Sequence, residues 1–197
     1  MIVTVSGEIG AGKSTVARRL AAALGLRYLS TGEVFRDEAR RRGLSLAELG
    51  RLAESDPTID RALDTMQVEA ARTGDILVDS RLSGWLIDGD LRIWLRAALE
   101  VRAGRVAARD HVDLATALRD VQAREASEHR RYLEIYGIDP SDLSRYHVVV
   151  DTGKWSAEDI VDVLLRLAGK CRPDPSAAPP IAKGGGLRGA PGSGRRA

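Results

Sequence analysis

A single cysteine, Cys171, in a chain of 197 residues excludes a disulfide framework and a thiolate metal cluster, and fits a reducing compartment. No apolar run is long enough to span a bilayer, and the chain opens on a short strand-like run rather than on a charged segment and a signal core. The expectation is a cytoplasmic protein with no membrane partner. Histidine is scarce: His111, His129 and His147 are scattered and lie in no motif, which argues against imidazole acid–base or metal chemistry. Aromatic residues make up 4% of the chain, and none falls in the stretch 170–197. No repeat of fixed period is apparent, which removes solenoids and propellers.

The length suits one well-buried domain and is short for two. The stretch 170–197 differs in kind from the rest: Pro173, Pro175, Pro179, Pro180 and Gly184-Gly185-Gly186 interrupt it, and it has no apolar periodicity. It reads as a disordered tail, with 1–169 as the domain. Six basic residues against one acid make the tail cationic and leave 1–169 with 24 basic and 27 acidic groups. The alkaline pI therefore belongs to the tail. A basic arm without aromatics to stack on bases is a weak nucleic-acid binder, and solvated disorder is the simpler reading.

The run Gly7-Glu8-Ile9-Gly10-Ala11-Gly12-Lys13-Ser14 fits G-x-x-x-x-G-K-[ST], a loop whose backbone N–H groups cradle phosphates. Its setting is the one the motif requires. Ile2-Val3-Thr4-Val5 before it reads as a buried strand, and the stretch from Thr15 to Leu24 after it carries apolar residues at helical spacing. A glycine turn that merely joined strand to helix would not need Lys-Ser after its last glycine. Lys13 supplies a full charge, and Ser14 can offer its hydroxyl to a magnesium ion bridging two phosphates.

Further strand-like runs recur at 27–30, 76–79, 91–95 and 146–151 with helical or turn-like sequence between them, an alternation that predicts an α/β fold with a five-stranded parallel sheet covered on both faces. The segment 32–74 exceeds one crossover helix and breaks at Gly43 and Asp56-Pro57, so it reads as a helical insertion over the site. A long helix runs from Leu114 to Tyr136 with Gly137 as its end. Arg124, Glu128 and Arg131 share one of its faces, with Ser127 beside them. They form either a solvated ion ladder or an anion-binding face.

Four stretches carry a family resemblance. Ser30-Thr31-Gly32-Glu33-Val34-Phe35-Arg36 resembles the S-T-G-[DE]-x-[FL]-R segment of nucleoside monophosphate kinases. Asp79-Ser80-Arg81-Leu82-Ser83-Gly84-Trp85 is similar to the [DE]-G-R-L-[AS]-G-W segment of archaeal-type cytidylate kinases. Arg124 to Asp139 resembles their R-E-x-x-[DE]-x-x-R-Y and Y-G-I-D, and Asp151 to Ser156 their N-T-[ST]-x-W-[ST] turn. The resemblance runs from about Met1 to Ala168. Three positions depart from the pattern: Ser80 replaces a glycine, Asp79 a frequent glutamate, and Glu8-Ile9 the usual uncharged loop interior, where a carboxylate near an anion site is repulsive unless it points outward. Leu82 stands where bacterial cytidylate kinases carry an aspartate that helps read cytosine, so base reading here uses other groups.

The resemblance implies a nucleoside monophosphate kinase-like fold with an acceptor-binding insertion at 32–74 and a lid with its following helix at about 110–137. It implies transfer of a phosphoryl group from ATP, with Mg2+, to CMP or dCMP. Residues 7–15 (Gly7, Glu8, Ile9, Gly10, Ala11, Gly12, Lys13, Ser14, Thr15) would hold ATP, with Arg105 and Arg109 flanking it. Ser14 and Asp79 would serve the metal, with a strand-end cap as the alternative role for Asp79. Thr31, Gly32, Arg36, Arg81, Gly84, Arg124, Glu128 and Arg131 would bind the acceptor, and Lys13, Arg81, Arg124 and Arg131 would act on the moving phosphoryl group. An acceptor phosphate is already ionised and needs no general base. A kinase of a hydroxyl acceptor would need one, for which Glu33 is the candidate. A nucleotide-dependent regulatory or nucleic-acid-binding module with the tail as its arm is the other alternative. A monomer acting on small nucleotides is the expected state.

Overall fold

The computed structural model describes residues 1–171. The expected tail lies outside them except for Lys170 and Cys171, which form the last turn of a helix instead. Cys171 is thus not a tail thiol; its side chain packs against the main core.

Five strands, β1 (Ile2–Gly7), β2 (Arg27–Ser30), β3 (Ile76–Asp79), β4 (Leu91–Arg96) and β5 (Val148–Asp151), form one parallel sheet in the order β2-β3-β1-β4-β5. Every pair is parallel. The central strands are buried on both faces, as continuous runs such as Ile-Leu-Val in β3 require. Helix α1 (Lys13–Leu24) presents Val16, Ala17, Leu20 and Ala21 to a core completed by Ile160, Val161, Leu164 and Ala168 of the last helix, Ala157–Cys171. Gly25 ends α1 in a left-handed conformation, which glycine adopts without steric cost.

The expected insertion is three helices, α2 (Thr31–Arg42), α3 (Leu46–Ser55) and α4 (Thr58–Arg72), broken at Gly43 and at Asp56-Pro57. Ser45 and Glu48 form a reciprocal capping box that starts α3. A short helix, α5 (Ser83–Leu86), follows β3 and has no counterpart in the sequence reading. Helices α6 (Leu99–Asp110) and α7 (Leu114–Tyr136) are joined by a tight turn and share the apolar cluster Ala103, Val106, Ala117 and Val121. The region expected to hold a lid is therefore one turn and one helix. The last helix is α8. Strand β5 starts at Val148 rather than at Tyr146, because the Tyr146 ring turns inward against Trp94, 5.1 Å between centroids.

Candidate active site

Parallel pairing brings the carboxyl ends of β1, β2 and β3 to one edge, where Val5 and Ser30 both lie in register with Asp79. A cavity of about 700 Å3 opens there. One side of it is the phosphate loop. Gly10 has φ +78°, and a Cβ on it would sit 2.5 Å from the Arg102 carbonyl oxygen; at Gly7 a Cβ would meet the Leu95 carbonyl oxygen at 2.1 Å. No other residue fits either place without moving backbone. The loop feeds into the N-terminus of α1, whose dipole adds positive potential.

Lys13 folds over its own loop, its Nζ donating to the carbonyls of Gly7 and Glu8, each at 2.9 Å. Burial, reinforced by the Arg81 charge, pulls the Lys13 ammonium down to about 7, against the opposing pull of Asp79 and Glu128. Opposite Lys13, Asp79 Oδ2 accepts from the hydroxyls of Ser14 (2.7 Å), Tyr28 (2.9 Å) and Ser30 (3.3 Å). Three hydroxyls on one oxygen of a buried carboxylate leave the other oxygen without them, which a mere strand cap would not require. Burial pushes the Tyr28 phenol up to about 12, so it donates throughout the neutral range. Ser14 and Asp79 together offer the hard oxygens that magnesium prefers, so this chain's residues fit that ion.

The far side of the cavity is cationic. Arg81 Nε pairs with Glu128 Oε2 at 2.8 Å and its Nη1 donates to the Gly7 carbonyl, tying α7 to the loop. Arg124 lines the cavity with no ion-pair partner among the described residues, and burial pulls its guanidinium below the ordinary arginine range while Glu128 opposes the shift. Arg36 projects from α2 beside Gly32, with only a long contact, 3.9 Å, to Glu33. Glu33 itself is engaged by Arg18 of α1. Two guanidinium groups with incomplete pairing, facing the phosphate loop across one cavity, are suited to a second anionic ligand.

Ile9, Gly10, Ala11, Gly12, Lys13, Ser14, Thr15, Thr31, Gly32, Arg36, Asp79, Arg81, Arg105, Arg109, Arg124, Glu128 and Arg131 all line the cavity. Gly7, Glu8 and Gly84 do not line it. Gly84 lies beneath Tyr146, where a Cβ would come 2.2 Å from the ring, so its smallness serves packing and not the acceptor. Glu8 turns away from the loop's interior and accepts from the Ala97 N–H at 3.1 Å, so its carboxylate points outward from the phosphate cradle. Arg131 is committed to Asp60 of α4 at 2.8 Å and to the Gly50 carbonyl and Ser127 hydroxyl at 3.2 Å each, so it braces the insertion against α7 rather than standing free for a phosphoryl group. Arg105 grips the post-β5 turn, donating to Thr152 Oγ1 and carbonyl at 2.9 and 2.7 Å, while Thr152 donates to the Ala11 carbonyl at 2.8 Å. Arg109 is paired with its neighbour Asp110.

The sequence reading missed several lining residues: Phe35, Asp60, Leu63, Asp64, Tyr132 and Trp155. Trp155 is 62% exposed at the loop side of the cavity, and only its place in the turn after β5 marked it. Burial, against the Arg131 charge, pushes the Asp60 carboxyl up to about 6.

Comparison with known proteins decides between the alternatives. The model of the cytidylate kinase-like family matches residues 2–154. The chain belongs to the cytidylate kinase-like family. Its relatives include the cytidylate kinase of Methanopyrus kandleri, 43% identical with 83% of this chain and 91% of that protein covered, and that of Methanothrix thermoacetophila, 45% identical with 84% and 96% covered. Among solved structures, shikimate kinase from Acinetobacter baumannii superposes with a TM-score of 0.55 at 18% identity, covering 86% of this chain and 93% of that one. That likeness shows a shared P-loop kinase fold. Membership in the family makes the chain a nucleotide kinase, and the match ends one residue before Trp155.

Proposed function

We propose that the chain transfers the terminal phosphoryl group of ATP to the phosphate of CMP or dCMP, giving CDP or dCDP and ADP. The observation that carries the reading is the unpaired Arg124, with Arg36 and Arg81, facing the phosphate loop across one cavity. An acceptor phosphate oxygen forms a bond to the γ-phosphorus as the bond to the β,γ-bridging oxygen breaks, and the electron pair leaves with ADP. The acceptor oxygen is already anionic, so no base takes a proton. This agrees with a site whose Glu33, the candidate base for a hydroxyl acceptor, is engaged by Arg18.

The chain's own residues do the positioning. The loop N–H groups and Lys13 hold the donor phosphates; Arg81 and Arg124 offset charge on the group in flight; Arg36, with the Thr31-Gly32 start of α2, holds the acceptor phosphate. Glu128, paired with Arg81, would orient the acceptor's ribose. Arg105 and Trp155 flank the donor side. Ser14 would hold magnesium and Asp79 would order its water shell; when bound, the ion supplies charge neutralisation along the donor phosphates. Since the residues lining both sides of the cavity suffice for the two nucleotides, we propose a monomer. Among the described residues no helix is long and apolar enough to cross a membrane, and free nucleotides as substrates support a cytoplasmic enzyme. A coupled assay of ADP release tests the reading over CMP, dCMP, UMP, AMP and shikimate. The cytidine nucleotides should give the highest kcat/KM, and turnover confined to shikimate would overturn it.

A further inference from the structure

The two residues that set this phosphate loop apart, Glu8 and Ile9, are the two that fasten it to the α6–α7 hairpin. Ile9 is buried in the apolar cluster of Ala103, Val106, Ala117 and Val121. Its backbone is held on both sides: its N–H donates to Glu125 Oε1 at 3.2 Å, and its carbonyl accepts from Arg102 Nη1 at 3.1 Å. Arg102, 6% exposed, lies between the two carboxylates, with Glu8 Oε2 at 3.1 Å and Glu125 Oε1 at 2.6 Å. Its Nε also donates to the Ala97 carbonyl, beside the Ala97 N–H that Glu8 accepts. Glu125 adjoins Arg124, whose guanidinium faces the cavity. One backbone unit of the donor loop is thus locked to the helix that carries the acceptor-side charges.

We propose that Glu8, Arg102 and Glu125 form a positioning network that holds the phosphate loop in register with Arg124 and Glu128 of α7, so that donor and acceptor phosphates meet in line. The proposal rests on the phosphoryl-transfer reading above. None of the three touches the cavity with a reacting group except through the loop and α7, so they act on the geometry of others. The cluster carries two carboxylates and one guanidinium, a net negative charge beside a site for polyanions. Were its role only electrostatic, it would weaken ATP binding. Positioning and repulsion therefore predict opposite results for neutral variants.

The test compares Glu125→Ala, Glu125→Gln and Glu8→Gln with the native chain, measuring kcat and both KM values with ATP and CMP alongside thermal unfolding. Glu125→Ala frees the Ile9 N–H and should lower kcat by roughly tenfold at saturating substrates, since small misplacements cost rate steeply, with KM for ATP within about twofold. Glu125→Gln keeps an oxygen acceptor for both Ile9 and Arg102 and should recover most of the lost kcat. Should the alanine variant fail to fold, the two glutamine variants still decide. Positioning expects KM for ATP to hold in both, whereas a severalfold fall in KM for ATP with kcat undiminished would establish repulsion and overturn the proposal. Native kcat in Glu125→Ala, or glutamine no better than alanine, would overturn it as well. A native chain that turns over no cytidine nucleotide would instead defeat the phosphoryl-transfer reading, a distinguishable failure.

Discussion

Replacing Arg131 by methionine removes the guanidinium that braces the insertion against α7 and leaves Asp60 without its cation. The two side chains are 6% and 7% exposed. Stranding one member of so buried a pair costs about 3–5 kcal/mol. The loss should depend on pH in a way the site dictates. Asp60 in the native protein titrates at about 6, well above its ordinary 3.8, so the folded state binds a proton that the unfolded state releases between those values. Its contribution to stability is therefore gained as pH falls through 6 and lost as pH rises through it. Around it stand Arg131, which favours the carboxylate, and Asp64 and Glu128, which disfavour it. Without Arg131 the Asp60 value climbs further. At pH 8 the variant must then bury an unpaired carboxylate, whereas at pH 5 both proteins hold a neutral acid and differ mainly by the lost bonds to Gly50 and Ser127. Each unit of additional shift widens the pH 8 difference by about 1.4 kcal/mol. Urea unfolding of both proteins at pH 5 and pH 8 measures this directly, since the unfolded-state titration cancels in the comparison. A stability difference equal at the two pH values would refute the pairing of Arg131 with Asp60 as the dominant role of either.

Three further outcomes follow from the geometry. Lys13 has a folded value near 7, below the ordinary 10.5, so the folded chain binds fewer protons than the unfolded one across that window and its stability rises with pH there; bound triphosphate restores the charge, so ATP binding at pH 8 takes up a proton. Calorimetry in two buffers of different ionisation enthalpy detects the uptake, and identical heats would contradict it. Arg81→Ala should lower kcat/KM for CMP by about 10²–10³-fold while the Kd for ATP changes only a few-fold; an equal loss of ATP affinity would move Arg81 to the donor side. Gly84→Ala drives a methyl group into Tyr146, costing about 1–3 kcal/mol and lowering Tm by several degrees without raising KM for CMP.

The local features of the fold were legible in the sequence because local chemistry decides them. The limits of α7 and β2 coincide with those expected, set by Gly137 and by the Ser30 cap on α2. The insertion breaks where Gly43 and Asp56-Pro57 stand. What spacing could not show is which of the two arginines on one helical face stays free. Arg124 and Arg131 look alike from sequence, yet Asp60, far away in the chain, claims one of them and leaves the other to the cavity. Glu8 likewise reads as repulsive until Arg102, more than ninety residues on, turns it into an anchor. Gly84 fits a family pattern for either of two reasons, and only the Tyr146 ring beside it distinguishes them.

The central claim is that the phosphoryl group passes from ATP to a phosphate and not to a hydroxyl. ATP labelled with 32P at its γ position, incubated with CMP and the enzyme, should place the label in the β-phosphate of CDP as an acid-labile anhydride. Label appearing only as inorganic phosphate or as an acid-stable phosphate ester would contradict it.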